Sequence, residues 1–208
     1  VGFWLEINKE GSAPTASSTS RDNEANQSGG ILIVIDAQKD FWMPEVETAF
    51  PKFESRIAGL LRKCRENSME VVHIRTEYDD QLRNWAQDFL PVHQTSELCL
   101  AGTEGAEPLT CASEADGERV FLKGNIDAFS NAEFVAHLSK ANCQKLLICG
   151  LYTDVCVLST GLSAFNRGYD VTIVQDCCAS TRSMHDFVIN RYGNFVFSLK
   201  SSDTLSFF

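Results

Sequence analysis

Three residues of the kinds that do chemistry each follow an apolar run. Asp36 closes Ile31 to Ile35, Lys123 closes Val120 to Leu122, and Cys156 comes shortly after Leu146 to Cys149. A carboxylate, an ammonium and a thiol brought together can perform nucleophilic catalysis. The ammonium favours the ionised forms of its partners, and the carboxylate can carry the thiol proton to a leaving group. Cys156 is expected in the first turn of a helix, where unpaired backbone N–H groups and the positive end of the macrodipole also favour a thiolate. Each residue alone has an ordinary explanation: a packed cysteine, a strand-end acid acting as a cap, a solvated lysine. Three such residues at equivalent ends of three apolar runs argue for a site.

The elements that must position them follow from periodicity. Gly30 to Asp36 reads as a strand buried on both faces, as does the run Leu146 to Cys149 that ends at Gly150. Between them the pattern predicts a helix over 51–67 with Phe53, Ile57, Leu60, Leu61 and Cys64 on one face, and a strand over 69–75. A third strand spans 119–122 and ends at Lys123, and Ser130 with Glu133 forms a capping box that opens a helix. From Asp154 to about Gly168 the residues Val155, Leu158, Leu162 and Phe165 make an apolar stripe. A strand over 171–174 with Asp176 beyond its end, a helix over 182–192 and a sixth short strand, Phe195 to Phe197, complete the series. The long segment 77–118, with Trp85 and Phe89, is of the kind that covers a site. Alternating strands and helices predict an α/β fold: a doubly wound, mostly parallel six-stranded sheet flanked by helices, Rossmann-like. Such sheets bind ligands off the carboxyl ends of their strands.

With 208 residues, 44% of them hydrophobic, the chain can bury one sizeable core. Residues 1–28 divide into an apolar patch (Phe3, Trp4, Leu5, Ile7) and a Ser/Thr/Asn-rich stretch; they are expected to be an N-terminal extension and linker to a domain over 29–208. A formal charge of −10 and a pI near 4.8 argue against nucleic acid and anionic membranes as partners. No apolar run approaches the ~20 residues of a membrane helix, and no signal-peptide pattern is legible near the first residue. The eight cysteines show no C-x-x-C spacing, which predicts reduced thiols and a cytoplasmic setting. The four histidines have no ligand spacing, so neither a metal nor a cofactor is expected.

Four stretches, I-V-I-D-A-Q-K-D-F (33–41), A-G-T-E-G-A-E (101–107), V-F-L-K-G-N-I-D-A-F (120–129) and G-L-Y-T-D-V-C-V (150–157), resemble the isochorismatase-like cysteine hydrolases, over about residues 30–200. That superfamily includes nicotinamidases, N-carbamoylsarcosine amidohydrolases and isochorismatases. The resemblance implies a triad of Asp36, Lys123 and Cys156, with Cys156 forming a thioester. It also implies a cis peptide between Leu151 and Tyr152, and an oxyanion hole from the N–H groups of Tyr152 and Cys156. The metal-binding Asp-x-His of nicotinamidases has no counterpart in Asp40 to Glu45. Some isochorismatases cleave a vinyl ether and can carry glycine at the nucleophile position; a cysteine there suits acyl transfer from an amide or ureide. Two alternatives stay open, vinyl-ether hydrolysis and a non-catalytic binding or redox member of the fold. Trp42, Trp85 and Tyr152 are expected to line a pocket for a small flat substrate. The family habit and the apolar N-terminal patch predict a homo-oligomer, dimer or tetramer.

Overall fold

The computed structural model describes residues 30–79 and 98–205. Six parallel strands form one sheet in the order β3-β2-β1-β4-β5-β6: β1 Ile31–Ile35, β2 Glu70–Thr76, β3 Arg119–Lys123, β4 Lys145–Leu151, β5 Asp170–Ala179 and β6 Ser198–Lys200. Helices α1 Pro44–Ala49, α2 Phe53–Glu66, α3 Ala132–Ala141, α4 Leu158–Asn166 and α5 Arg182–Tyr192 flank it. The strand order reverses between β1 and β4, and their carboxyl ends are where a doubly wound sheet opens its ligand crevice. No described helix is long and apolar enough to cross a membrane.

The core follows from the sequence pattern. β1 is buried along its whole length, as a central strand covered on both faces must be. α2 turns Phe53, Ile57, Leu60, Leu61 and Cys64 inward, each large side chain contributing roughly 1.5–3 kcal/mol on burial. β3 is an edge strand and alternates instead: Phe121 and Lys123 are buried while Leu122 between them is exposed. That alternation turns Lys123 inward, so it is not the solvated strand-end lysine that its position alone would suggest.

Several local expectations shift. The sixth strand is Ser198–Lys200 and not Phe195 to Phe197; Phe197 is buried, and Phe195 stands out in solvent. Gly161 lacks the Cβ that would press on the Phe197 ring, so α4 settles on the sheet through Thr160, Gly161 and Ala164. The expected stripe faces elsewhere: Leu158 and Leu162 are half-buried and Phe165 is exposed. The cap of α3 is Asn131, whose side chain accepts the Phe134 N–H and donates to the Leu122 carbonyl, while the Ser130 hydroxyl donates to Asp127. Asp176 lies within β5, not beyond it, at an irregularity in the β4–β5 register. It accepts hydrogen bonds from Ser201 and Ser202 and pairs with Arg56 at 3.5 Å, tying down the chain beyond β6.

Candidate active site

The site assembles where β1, β2, β3 and β4 end. Asp36 leaves β1 with φ 46°, a left-handed conformation that aspartate tolerates better than most residues. Its N–H is held by the Ile74 carbonyl at 2.9 Å. In β4, Gly150 has φ 126°, and a Cβ there would fall 1.9 Å from the Ile35 carbonyl oxygen. Only glycine lets β4 pass that close to the residue preceding Asp36. Beyond β4 the Leu151–Tyr152 peptide is cis, and residues Thr153–Val157 form a π turn that runs into α4. Cys156 therefore sits in a wide turn ahead of the α-helix rather than in a regular first turn. The turn is pinned from the far side: Thr153 Oγ1 and His185 Nδ1 are 2.9 Å apart, and the Ser180 hydroxyl donates to Asp154.

These devices bring the three predicted residues together. Lys123 Nζ lies 2.7 Å from Asp36 Oδ2 and 3.5 Å from Cys156 Sγ, and all three side chains are buried. Burial pulls the Lys123 ammonium toward deprotonation, but Asp36 above all, with hydrogen bonding to Cys156, outweighs it and holds its pKa above the ordinary value. The thiol behaves differently from the sequence-based expectation. Burial pushes the Cys156 pKa up, the Asp36 carboxylate pushes it further, and Lys123 only partly offsets both. Burial and the carboxylate thus favour the thiol over the thiolate.

Two residues that motif reasoning did not single out complete the cluster. Thr76, the last residue of β2, stands directly opposite Lys123 in the strand register. Its hydroxyl is 2.7 Å from Lys123 Nζ and 3.0 Å from Asp36 Oδ1. Gln38 holds Thr76 by its backbone, accepting the N–H at 2.9 Å and donating to the carbonyl at 2.8 Å, and donates also to Ala106 at 2.8 Å. Gln38 lies inside a motif already noted, but the role of Thr76 follows only from the β2–β3 register. Half-buried Tyr78 and fully buried Cys99 lie near the cluster: burial raises both pKa values, that of Cys99 to about 12 with Asp40 adding to it, and each feels the charges of Asp36 and Lys123.

The second motif has a structural use. Leu109 N–H donates to the Ala37 carbonyl and Lys39 N–H to that of Glu107, strapping 106–109 along the turn after β1. Gly105 leaves room for the Asp40 carboxylate, which accepts the Cys99 N–H at 2.7 Å. Of the expected pocket residues, Tyr152 is half-buried, packs edge-on against Phe41 and donates its hydroxyl to the Phe41 carbonyl at 2.7 Å. Trp42 stacks on Phe53 with ring centroids 4.8 Å apart. Trp85 lies outside the described residues. Among those residues no group of three or more His, Cys, Asp or Glu could hold a metal ion.

Comparison with known proteins agrees with this architecture. The family model for the isochorismatase domain matches residues 30–200. The chain belongs to the isochorismatase family. It is 40% identical over 177 residues to isochorismatase domain-containing protein 2 of Xenopus laevis, covering 84% of this chain and 73% of that one. The crystal structure of an isochorismatase family protein from Desulfovibrio vulgaris superposes with a TM-score of 0.72 at 29% identity, covering 86% of this chain and 96% of that one. Nicotinamidase PncA from Bacillus subtilis shares the fold, with a TM-score of 0.71 at 24% identity over 83% of this chain and 99% of its own. The family is one of hydrolases, built on the six-stranded α/β sheet seen here.

Proposed function

We propose that this isochorismatase-family hydrolase cleaves a C–N bond, amide or ureide, of a small molecule through a thioester on Cys156. The observation that carries the reading is the Lys123 ammonium, set 2.7 Å from the Asp36 carboxylate and 3.5 Å from the Cys156 sulfur. Asp36 accepts the thiol proton as Cys156 Sγ attacks the substrate carbonyl, and gives it to the departing nitrogen. Water then attacks the thioester, with Asp36 taking its proton, and the acid leaves as the thiol is restored. Throughout, the ammonium balances whichever neighbour is negative. The backbone N–H groups of Tyr152 and Cys156 are assigned to the developing oxyanion.

Tyr152 is also assigned to the substrate pocket, since it is half-buried and directly precedes the turn that carries Cys156. Trp42, packed against Phe53, would form the wall beside it. The working unit is taken to be a homo-oligomer; Phe165 and Phe195, exposed side chains bordering one shallow cleft, support it. Eight free thiols support a cytoplasmic setting.

The test is a screen of small amides, ureides and isochorismate, read by ammonia release, with mass spectrometry of the quenched enzyme. An acyl adduct on the peptide carrying Cys156, absent in Cys156→Ala, is the expected result. Turnover of isochorismate alone, without an adduct, would replace this reading with vinyl-ether hydrolysis; no turnover and no adduct would make the chain a non-catalytic member.

A further inference from the structure

We infer that Thr76 is a positioning residue of the triad: its hydroxyl fixes how Asp36 and Lys123 face each other and Cys156. The inference rests on the triad assignment above. An ammonium has donors and no acceptor, so at 2.7 Å Lys123 Nζ must donate to Thr76 Oγ1. The hydroxyl has a single proton, and it donates that proton to its remaining partner, Asp36 Oδ1 at 3.0 Å. The direction of the chain is thereby determined: Lys123 to Thr76 to Asp36. One carboxylate oxygen is occupied by the hydroxyl and the other faces the ammonium at 2.7 Å. Asp36 is wholly buried, and Lys123 keeps a further N–H directed at Cys156 Sγ, 3.5 Å away.

Thr76 is itself unable to drift. It is 2% exposed, and Gln38 clamps both its backbone groups while bridging to Ala106. The triad is in effect a tetrad, carried on four strand ends and locked by a buried amide. The groups that bear on Asp36 are Lys123 from β3 and Cys156 from the π turn, with Tyr78 and Cys99 in the weaker field around them.

Thr76→Val removes the hydroxyl at constant shape, and Thr76→Ser restores it. Two readouts apply: turnover against pH on the substrate found by the screen, and the rate of Cys156 alkylation by iodoacetamide against pH, followed by peptide mass spectrometry. A carboxylate that loses a donated hydrogen bond holds a proton more readily. The acid limb of both profiles should therefore move up by about one pH unit or more in Thr76→Val, the equivalent of one charge-assisted bond. The same variant should lose about tenfold or more in kcat with KM little changed, and Thr76→Ser should recover both properties. If Thr76→Val does not melt cooperatively, Thr76→Ala carries the same measurements. A folded variant whose acid limb and kcat match wild type overturns the inference. A shifted alkylation profile in a protein that hydrolyses no amide or ureide would uphold the role of Thr76 and retire the amidohydrolase reading.

Discussion

At the scale of single residues, chemistry here depends on burial as much as on identity. Lys123 and Asp36 are buried together, and their 2.7 Å pairing offsets a desolvation cost that neither could sustain alone. Burial and the Asp36 carboxylate raise the Cys156 pKa, and under the proposed mechanism Asp36 would take the proton as the sulfur attacks. Cys156→Ala, Asp36→Asn and Lys123→Ala should each reduce turnover at least about 10³-fold, with double variants no worse than the weaker single. Near-wild-type kcat in any one of them would remove that residue from the mechanism. Lys123→Ala carries a second expectation, since it strands a buried carboxylate: its stability should fall by about 3–5 kcal/mol in urea unfolding. An unchanged midpoint would show that Asp36 is protonated or hydrated once its partner is gone.

At the scale of elements, close approach and a shared acid hold the strand ends in place. Gly150→Ala would drive a methyl group into the Ile35 carbonyl, so β1 and β4 would have to part beside Asp36. The expected cost is about 3 kcal/mol or more, with turnover lost as well, measured by urea unfolding and the same assay. A stable, active variant would mean that β4 can shift without moving Asp36. Farther from the site, Glu118 accepts two bonds from Arg65 of α2, one from the Ala115 N–H, and pairs with His73 of β2 at 2.9 Å. Burial alone would raise its pKa, but Arg65, the backbone and His73 together lower it to about 2 from 4.5. A depressed carboxyl contributes stability above its unfolded pKa and loses it as pH falls through the folded one. Glu118→Gln should therefore be less stable than wild type by about 1–2 kcal/mol at pH 7, given that Arg65 is partly solvated. The difference should shrink as pH falls from about 4.5 toward 2. Melting curves across that range test it, and a difference independent of pH would sink the assignment.

At the scale of the whole molecule, the sheet leaves apolar surface on the side of α4 and the turn before β6. Phe195 is 73% exposed and Phe165 47%, and both line one cleft. If the working unit is an oligomer, light scattering should give a mass at least twice that of one chain. Deleting residues 1–28 should show whether the apolar patch at Phe3 to Leu5 contributes to it, and a monomer in both forms would rule out self-association.

The sequence by itself determined the parallel α/β sheet and the three residues that meet in its crevice. Apolar runs and helical spacing are local signals, and a strand end is a place that can be counted along the chain. Asp36, Lys123 and Cys156 were legible for that reason, whereas the need for glycine at position 150 within β4 came only from its close approach to Ile35. Only the tertiary structure brought in Thr76 and Gln38, because their roles depend on which residues the register sets side by side, and register is decided by packing across the sheet. The same holds for the protonation of Cys156. A helix start and a nearby lysine argued for a thiolate, but burial and the adjoining carboxylate prevailed, and desolvation is a property of the folded interior. Asn131 displaced Ser130 as the cap because the Leu122 carbonyl of β3 lies within its reach, and Phe197 left the predicted strand to pack against Gly161. Local chemistry chose the candidates, and long-range packing decided which partners they met.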